Sequence, residues 1–252
     1  MTDSIALDHI VALVRDPAAA AEGLRALGLE AAAGGRHARW GTHNVLVPLS
    51  RAYLEFLGVE DEAIARRSPF GLAVLAGFAR GEGLWRVALR TSDMRATLDG
   101  LRLRGIACTG PTPGVRVRPD GTSLRWQLAF PRGPEDGGIP PMLIAWDDPG
   151  SAPHDRPDGA QVAELAIRAR DPGRVAHWYE KAFALSSEPI EHARYGPARR
   201  IALAGGDLVF CAGGGDGAGQ HPPGPFALAL RAGACGAAAE VRIGPASFVR
   251  VT

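Results

Sequence analysis

Apolar stretches of strand length recur along the chain, and three of them end in an aspartate that leads into a helical pattern. These aspartates are Asp16, Asp93 and Asp171, spaced by 77 and 78 positions. An aspartate at this place caps a helix, because its carboxylate accepts a hydrogen bond from a free backbone N–H. Pro17 and Pro172 suit the first helical position, since their φ is already helical. The pattern therefore predicts a helix after each of the three strands.

Further apolar stretches, separated by turn residues, follow each predicted helix. In the first unit they are Glu30–Arg39, Thr42–Leu49 and Ala52–Val59, and in the second Ile106–Arg118, Ser123–Phe130 and Pro141–Trp146. Each unit thus has the order βαβββ. Consecutive strands argue against a doubly wound parallel sheet and favour the α+β class. A third unit and a shortened fourth follow, and the Pro-, Gly- and Asp-rich residues 149–159 are predicted to link domains 1–148 and 160–252.

Composition and charge exclude several function classes. The 252 residues include 28 basic and 27 acidic side chains, a balance that argues against a nucleic-acid partner. No apolar run reaches the length of a membrane span, and the acidic N-terminus does not resemble a signal peptide, so we expect a cytoplasmic protein without membrane contact. Lys181 is the only lysine, so an arginine by itself carries little functional signal. The three cysteines are widely spaced and predict reduced thiols.

Three motifs of the first unit resemble a known superfamily: LDHIV at residues 7–11, GGRHARWGTHNVL at 34–46 and YLEF at 53–56. The chain resembles the vicinal oxygen chelate superfamily, which contains glyoxalase I, extradiol dioxygenases and bleomycin-resistance proteins, and within it the glyoxalase-like domains. The resemblance implies that the first two βαβββ units form a half-barrel of eight strands around a cleft. Residues 160–252 would then be a degenerate second domain, which serves packing, cleft closure or formation of a homodimer.

In metal-dependent members of this superfamily, each unit supplies a His from its first strand and a Glu or His from its last. The resemblance places His9 and Glu55 at these positions in the first unit. The corresponding positions of the later units hold Arg86, Ile144, Glu164 and Phe210. Because an arginine such as Arg86 cannot bind a metal, the usual set of four ligands is incomplete.

Three interpretations of His9 and Glu55 remain open. They could hold Fe, Mn, Ni or Zn together with a third ligand, His37 or His43. Alternatively, His9 is a general base whose pKa is set by Glu55, and Arg86 replaces the metal as a clamp for a carboxylate or enolate. In the third interpretation, the two side chains only bond each other across strands of an inherited cleft.

The segment at residues 34–44 contains two His, two Arg, one Trp and one Asn between strands that should line the cleft. His37 and Trp40 lie on the predicted turn and could cover or stack on an apolar ligand. In the following strand, either His43 or Asn44 points into the cleft, but not both, because neighbouring side chains alternate. We therefore take His37, Trp40, His43 and Asn44 as candidate substrate-binding residues, although a tight turn with solvated side chains would look the same.

Two other features are interpreted without a functional role. Arg116 belongs to an alternating strand at Val115–Arg118, and we expect its side chain on a solvated face. His192 lies in a polar loop without a partner at ligand spacing. The first functional hypothesis is thus a glyoxalase-like lyase, isomerase or dioxygenase acting on a small, partly apolar oxygenated molecule. The second is a protein of the same fold that binds and sequesters a small molecule without turnover.

Overall fold

The computed structural model describes residues 5–117, 121–134, 139–148, 150, 153, 159–213, 222–231 and 239–251. Sheet A consists of β1 Ala6–Leu13, β2 Ala32–His37, β3 Thr42–Pro48, β4 Tyr53–Val59, β5 Gly83–Arg90, β6 Cys108–Val117, β7 Ser123–Pro131 and β8 Met142–Trp146. Sheet B consists of β9 Gln161–Arg168, β10 Glu188–His192, β11 Gly196–Ile201, β12 Asp207–Cys211, β13 Gly224–Arg231, β14 Glu240–Ile243 and β15 Ala246–Val251. The helices are α1 Pro17–Gly23, continued by a 3₁₀ turn at Leu24–Leu27, α2 Glu62–Ala65, α3 Pro69–Phe78, α4 Met94–Leu103 and α5 Pro172–Phe183. Within this described part, no helix is long and apolar enough to cross a membrane.

The three repeated aspartates begin helices, as predicted. Asp16, Asp93 and Asp171 precede α1, α4 and α5, and each carboxylate accepts backbone N–H groups of the first turn at 2.9–3.1 Å. The first two helical segments end at Gly28 and Gly105, whose φ angles of 78° and 73° are left-handed. Glycine adopts this conformation without steric cost. Local signals therefore set both ends of these helices.

The strand order confirms the repeated βαβββ units and the α+β class. Sheet A has the order β2-β3-β4-β1-β5-β8-β7-β6 and curls into a half-barrel, with β1 antiparallel to β5 at the junction of the two units. Sheet B repeats this order as β10-β11-β12-β9-β13-β15-β14. Its second half contains three strands and no helix among the described residues, so sheet B is the degenerate second module. The predicted linker at 149–159 lies almost entirely outside the described residues.

Two helices between β4 and β5 were not predicted. Asp61 and Ser68 cap α2 and α3, because each side chain accepts a backbone N–H three residues further on, at 2.9 Å. Pro69 follows at the first position of α3. Phe70, the second residue of α3, contacts Trp40 with 4.6 Å between ring centroids. This contact places α3 over the inner face of sheet A.

The two sheets share one apolar core. Successive residues of β1 point to opposite faces, so Ile10 faces this core whereas His9 faces the inside of sheet A. The Tyr179 side chain of α5 is fully buried here, and its hydroxyl donates to the carbonyl oxygen of Ile139 at 2.6 Å. The inner faces of the two sheets therefore point away from each other. Sheet B contributes large core side chains at Leu165, Phe210, Leu228 and Phe248.

Candidate functional site

A small cavity lies under the inner face of sheet A. Its volume of about 30 Å³ leaves room for about one water molecule. Phe70 of α3 closes it on the side away from the sheet. The cavity is lined by His9, His37, Trp40, Asn44, Tyr53, Glu55, Phe70, Arg116, Trp126, Leu128, Met142, Ile144 and Trp146.

His9 is held in one orientation by its neighbours. Its Nδ1 lies 2.6 Å from Asp8 Oδ1, and the other oxygen of Asp8 accepts the indole N–H of Trp146 at 3.0 Å. The ring also stacks on Tyr53, with centroids 4.5 Å apart and an 18° angle between planes. The β1–β5 register is irregular between Leu7 and His9, which leaves Asp8 as the extra residue of a bulge. A carboxylate at Nδ1 fixes the proton on that nitrogen and directs Nε2 towards Glu55.

Glu55 faces His9 across the cavity. Its Oε2 lies 3.5 Å from His9 Nε2, and its Oε1 accepts a hydrogen bond from the Asn44 amide. Asn44 is oriented in turn, because its Oδ1 accepts the backbone N–H of Gly35 at 2.8 Å. Of the two alternatives in β3, Asn44 thus points into the cavity. His43 lies on the opposite face of the strand, over Gly58.

His37 and Trp40 both line the cavity from the β2–β3 turn. His37 Nδ1 lies 3.0 Å from the Thr42 hydroxyl. Burial lowers the pKa of His37 to about 4, and the positive charge of Arg116 adds to this effect although Glu55 opposes it. His37 is therefore neutral at pH 7. Trp40 lies 5.9 Å from Trp126 between ring centroids, so this end of the cavity is aromatic.

The arginine that lines the cavity is Arg116 and not Arg86. Arg86 is not among the residues that line the cavity, although it pairs with Val11 next to a register shift in β5. Its guanidinium is near Tyr179 instead, and burial lowers its pKa. Arg116, expected on a solvated face, is only 7% exposed and lines the cavity. The solvated position expected for Arg116 is therefore wrong, whereas the clamp role of Arg86 stays a prediction.

Members of the vicinal oxygen chelate superfamily often bind a divalent metal, whose ligands here would begin with His9 and Glu55. Across the described ranges, no group of three or more His, Cys, Asp or Glu side chains is arranged to hold a metal ion. His37 uses one nitrogen for Thr42, and Arg116 brings a positive charge into the same cavity. The residues present therefore do not fit a divalent metal.

Sheet B contains a His–Glu pair that contradicts the expectation for His192. The Nε2 atom of His192 lies 2.8 Å from Oε1 of Glu164, and its Nδ1 accepts the backbone N–H of Arg194 at 3.1 Å. A sequence signal for this pair exists in the turn His-Ala-Arg-Trp-Gly, which begins at His37 and recurs as His-Ala-Arg-Tyr-Gly at His192. The two turns are separated by the same number of positions as Asp16 and Asp171.

The second turn is one residue shorter than the first. His37 pairs with Thr42 across the first turn, whereas His192 pairs with Gly196 across the second. Because the second turn lacks one residue, each later residue of sheet B stands one position earlier than the repeat spacing predicts. The strand register accordingly places Val209 of β12, rather than the expected Phe210, at the position of Glu55. The side chain of Phe210 belongs to the shared core.

Comparison with known proteins agrees with this architecture. The sequence model of the glyoxalase-like domain family matches residues 7–183, and the chain belongs to this family. A hypothetical protein from Staphylococcus aureus has a similar crystal structure, with 17% identity, a TM-score of 0.80 and coverage of 98% of this chain and 99% of that one.

A triple mutant of 4-hydroxymandelate synthase from Streptomyces coelicolor is also similar. Its identity is 19% and its TM-score 0.57, over 91% of this chain and 71% of that one. At these identities, both likenesses show the fold alone. A search of curated proteins finds no match.

Proposed function

We propose that the cavity of sheet A is the active site of a metal-independent enzyme that moves a proton at a carbon next to a carbonyl group. The substrate would be a small anion, such as a 2-oxo acid, with an apolar or aromatic body. One observation carries this proposal. Asp8, His9 and Glu55 form a chain of oriented side chains, and Arg116 lines the same cavity.

His9 would act as the general base. With its Nδ1 proton held by Asp8, the imidazole presents the Nε2 lone pair towards the cavity. The substrate C–H bond breaks, its proton moves to Nε2, and its electron pair forms the C=C bond of an enolate. Glu55, 3.5 Å from Nε2, stabilises the imidazolium that results. Return of the proton from Nε2 to carbon completes an isomerisation or a hydrogen exchange.

Arg116 would stabilise the enolate and bind the carboxylate. Its guanidinium is buried in the cavity wall, where the low dielectric strengthens its interaction with a developing negative charge. Trp40, Trp126 and Phe70 supply a flat apolar surface for the rest of the substrate.

The cavity must open before a substrate enters. About 30 Å³ is far less than the roughly 150 Å³ of a cavity that holds benzene. Movement of α3 with Phe70 would enlarge it, because Phe70 lines the cavity and contacts Trp40 and Trp85. Closure of α3 over a bound substrate would then exclude water from the enolate.

The proposal is tested by hydrogen exchange at carbon. Phenylpyruvate and pyruvate are incubated with the protein in D₂O with a metal chelator, and the loss of their C3 proton signals is followed by NMR. We expect catalysed exchange, a loss of about 10²–10⁴-fold in His9→Gln, and weaker substrate binding in Arg116→Met. His177→Gln, which changes an exposed side chain of α5, is the matched control.

Two outcomes would contradict the proposal. Exchange that stops with the chelator and returns with an added divalent ion would restore the metal interpretation. Binding of these acids without exchange in the wild-type protein would support the sequestering alternative instead.

A further inference from the structure

Sheet B borders a second cavity, separate from that of sheet A. Its volume is about 120 Å³, and it lies where β13 approaches the α3–β5 turn. A cavity of roughly 150 Å³ holds benzene, so this one takes a molecule of about that size or smaller. Its walls include Trp85, Arg168 and Phe226, together with the prolines of residues 222–225.

Arg168 is a positively charged residue in the wall of this cavity. Its guanidinium carbon lies 4.3 Å from the centroid of the Phe226 ring. The side chain is partly buried, and its Nε has no hydrogen-bond partner. No carboxylate within the described ranges forms an ion pair with it, whereas the acidic residue of the same wall, Glu82, lies 3.5 Å from Arg15. Partial burial makes this cation costly without an anion, and an anionic ligand in the cavity would accept hydrogen bonds from its guanidinium.

The aromatic wall is fixed by its neighbours. Tyr195 packs on the edge of Phe226 with 5.2 Å between centroids and stacks on His192 at 4.4 Å. Both nitrogens of His192 are engaged, with Glu164 and with the Arg194 backbone, so this histidine has no free lone pair for proton transfer. The chemistry available here is therefore recognition of charge and of an apolar surface.

We propose that the cavity between Arg168, Phe226 and Trp85 binds a small monocarboxylate with a flat apolar body. Its carboxylate bonds to the Arg168 guanidinium, and its body packs between the two aromatic rings. Two arginines line the cavity, Arg168 and Arg80, and Arg80 already donates to the carbonyl oxygen of Pro223. The apolar prolines and the one guanidinium beside the aromatic rings fit a carboxylate better than a doubly charged phosphate. This site does not depend on the function proposed for sheet A, and it binds without catalysis.

Benzoate is the probe for this site. It is titrated against the wild-type protein by calorimetry, with Arg168→Met as the central variant. Loss of a charge-assisted hydrogen bond predicts affinity weakened by about tenfold or more in Arg168→Met. Arg174→Met, which removes an exposed arginine of α5, should bind benzoate within about twofold of wild type. Melting curves verify that every variant is folded.

The uncharged analogue benzyl alcohol provides a measurement that needs no variant. We expect it to bind the wild-type protein about tenfold or more weakly than benzoate. Equal affinity of the two compounds, or unchanged affinity in Arg168→Met, would overturn the proposal. Loss of binding in Arg116→Met instead would place benzoate in sheet A, and no saturable binding to wild type would also refute the second site. His9→Gln should bind benzoate normally, so the two proposals fail independently.

Discussion

Each sheet contains a histidine–carboxylate pair, but the pairs stand at different positions, since Glu164 corresponds to His9 and His192 to His37. In sheet A, Asp8 bonds to Nδ1 of His9, and Nε2 of His9 lies 3.5 Å from Glu55 at the edge of the cavity. In sheet B, His192 Nε2 lies only 2.8 Å from Glu164 and Nδ1 accepts a backbone N–H. A histidine performs proton transfer only if one nitrogen remains available to the substrate. The comparison thus supports the proposals that sheet A carries out proton transfer and that sheet B binds without catalysis.

The largest expected effect tests the positioning role of Asp8. Asp8→Asn can donate to Nδ1 and so places the ring proton on Nε2, which removes the base. We expect kcat for carbon exchange to fall by about 10²–10⁴-fold with little change in KM. Glu164→Gln, the matched change in sheet B, should leave this rate unchanged. Equal losses in both variants would refute the comparison.

The two related turns provide a test by stability. Gly41 and Gly196 have φ angles of 66° and 69°, so alanine is strained by about 1–2 kcal/mol at either position. A Cβ on Gly41 would also lie 2.2 Å from the carbonyl oxygen of Asp61, whereas a Cβ on Gly196 meets nothing closer than 3.8 Å. We expect Gly41→Ala to lower the free energy of unfolding by about 3–5 kcal/mol and Gly196→Ala by about 1–2. Urea denaturation of both variants measures this difference in the free energy of unfolding. Equal losses would show that the contact between residue 41 and Asp61, the cap of α2, does not affect stability.

The low pKa of His37 predicts an acid dependence that belongs to sheet A. Its folded-state pKa of about 4 lies below the usual 6.5, so the unfolded state binds the proton first as the pH falls. Stability should decrease from about pH 6.5 to about pH 4, by up to roughly 3 kcal/mol. His37→Gln should remove this part of the slope in urea denaturation at several pH values. The exposed His177→Gln serves as control, and an identical slope in both variants would disprove the assignment.

The smallest expected effect concerns the core that both sheets share. Tyr179→Phe leaves the buried carbonyl oxygen of Ile139 without its donor, which costs about 1–2 kcal/mol. Amide hydrogen exchange should show the same loss of protection in β1 of sheet A and β9 of sheet B. A loss confined to one sheet would show that the modules unfold separately.

Local and periodic signals in the sequence predicted most of the fold. The aspartate period and the caps depend on residues within one helical turn, so they could be read directly. The α2–α3 segment carried similar signals at Asp61 and Ser68 but lies outside the repeat, and it was missed. His192 could have been found by comparing the two His-Ala-Arg-aromatic-Gly turns.

The arginine of the site could not be predicted in the same way. Arg86 and Arg116 have similar sequence contexts, each within an alternating strand. The β1–β5 pairing has a register shift beside Arg86, and β6, at the edge of sheet A, carries Arg116 to the cavity. Both effects arise from strand pairing over distances longer than any local pattern, so periodicity alone assigns such side chains incorrectly.

The shared core has a consequence for the order in which the chain folds during synthesis. Ile10 and Leu54 of sheet A pack in the same core as Phe248, close to the last described residue. Backbone bonds such as Leu7 N–H to the Ala204 carbonyl also join the first strand to a segment made much later. While the ribosome is still adding sheet B, the back of sheet A exposes an apolar surface. The nascent chain is therefore most vulnerable to aggregation and to chaperone capture when the half that carries the proposed active site is already assembled.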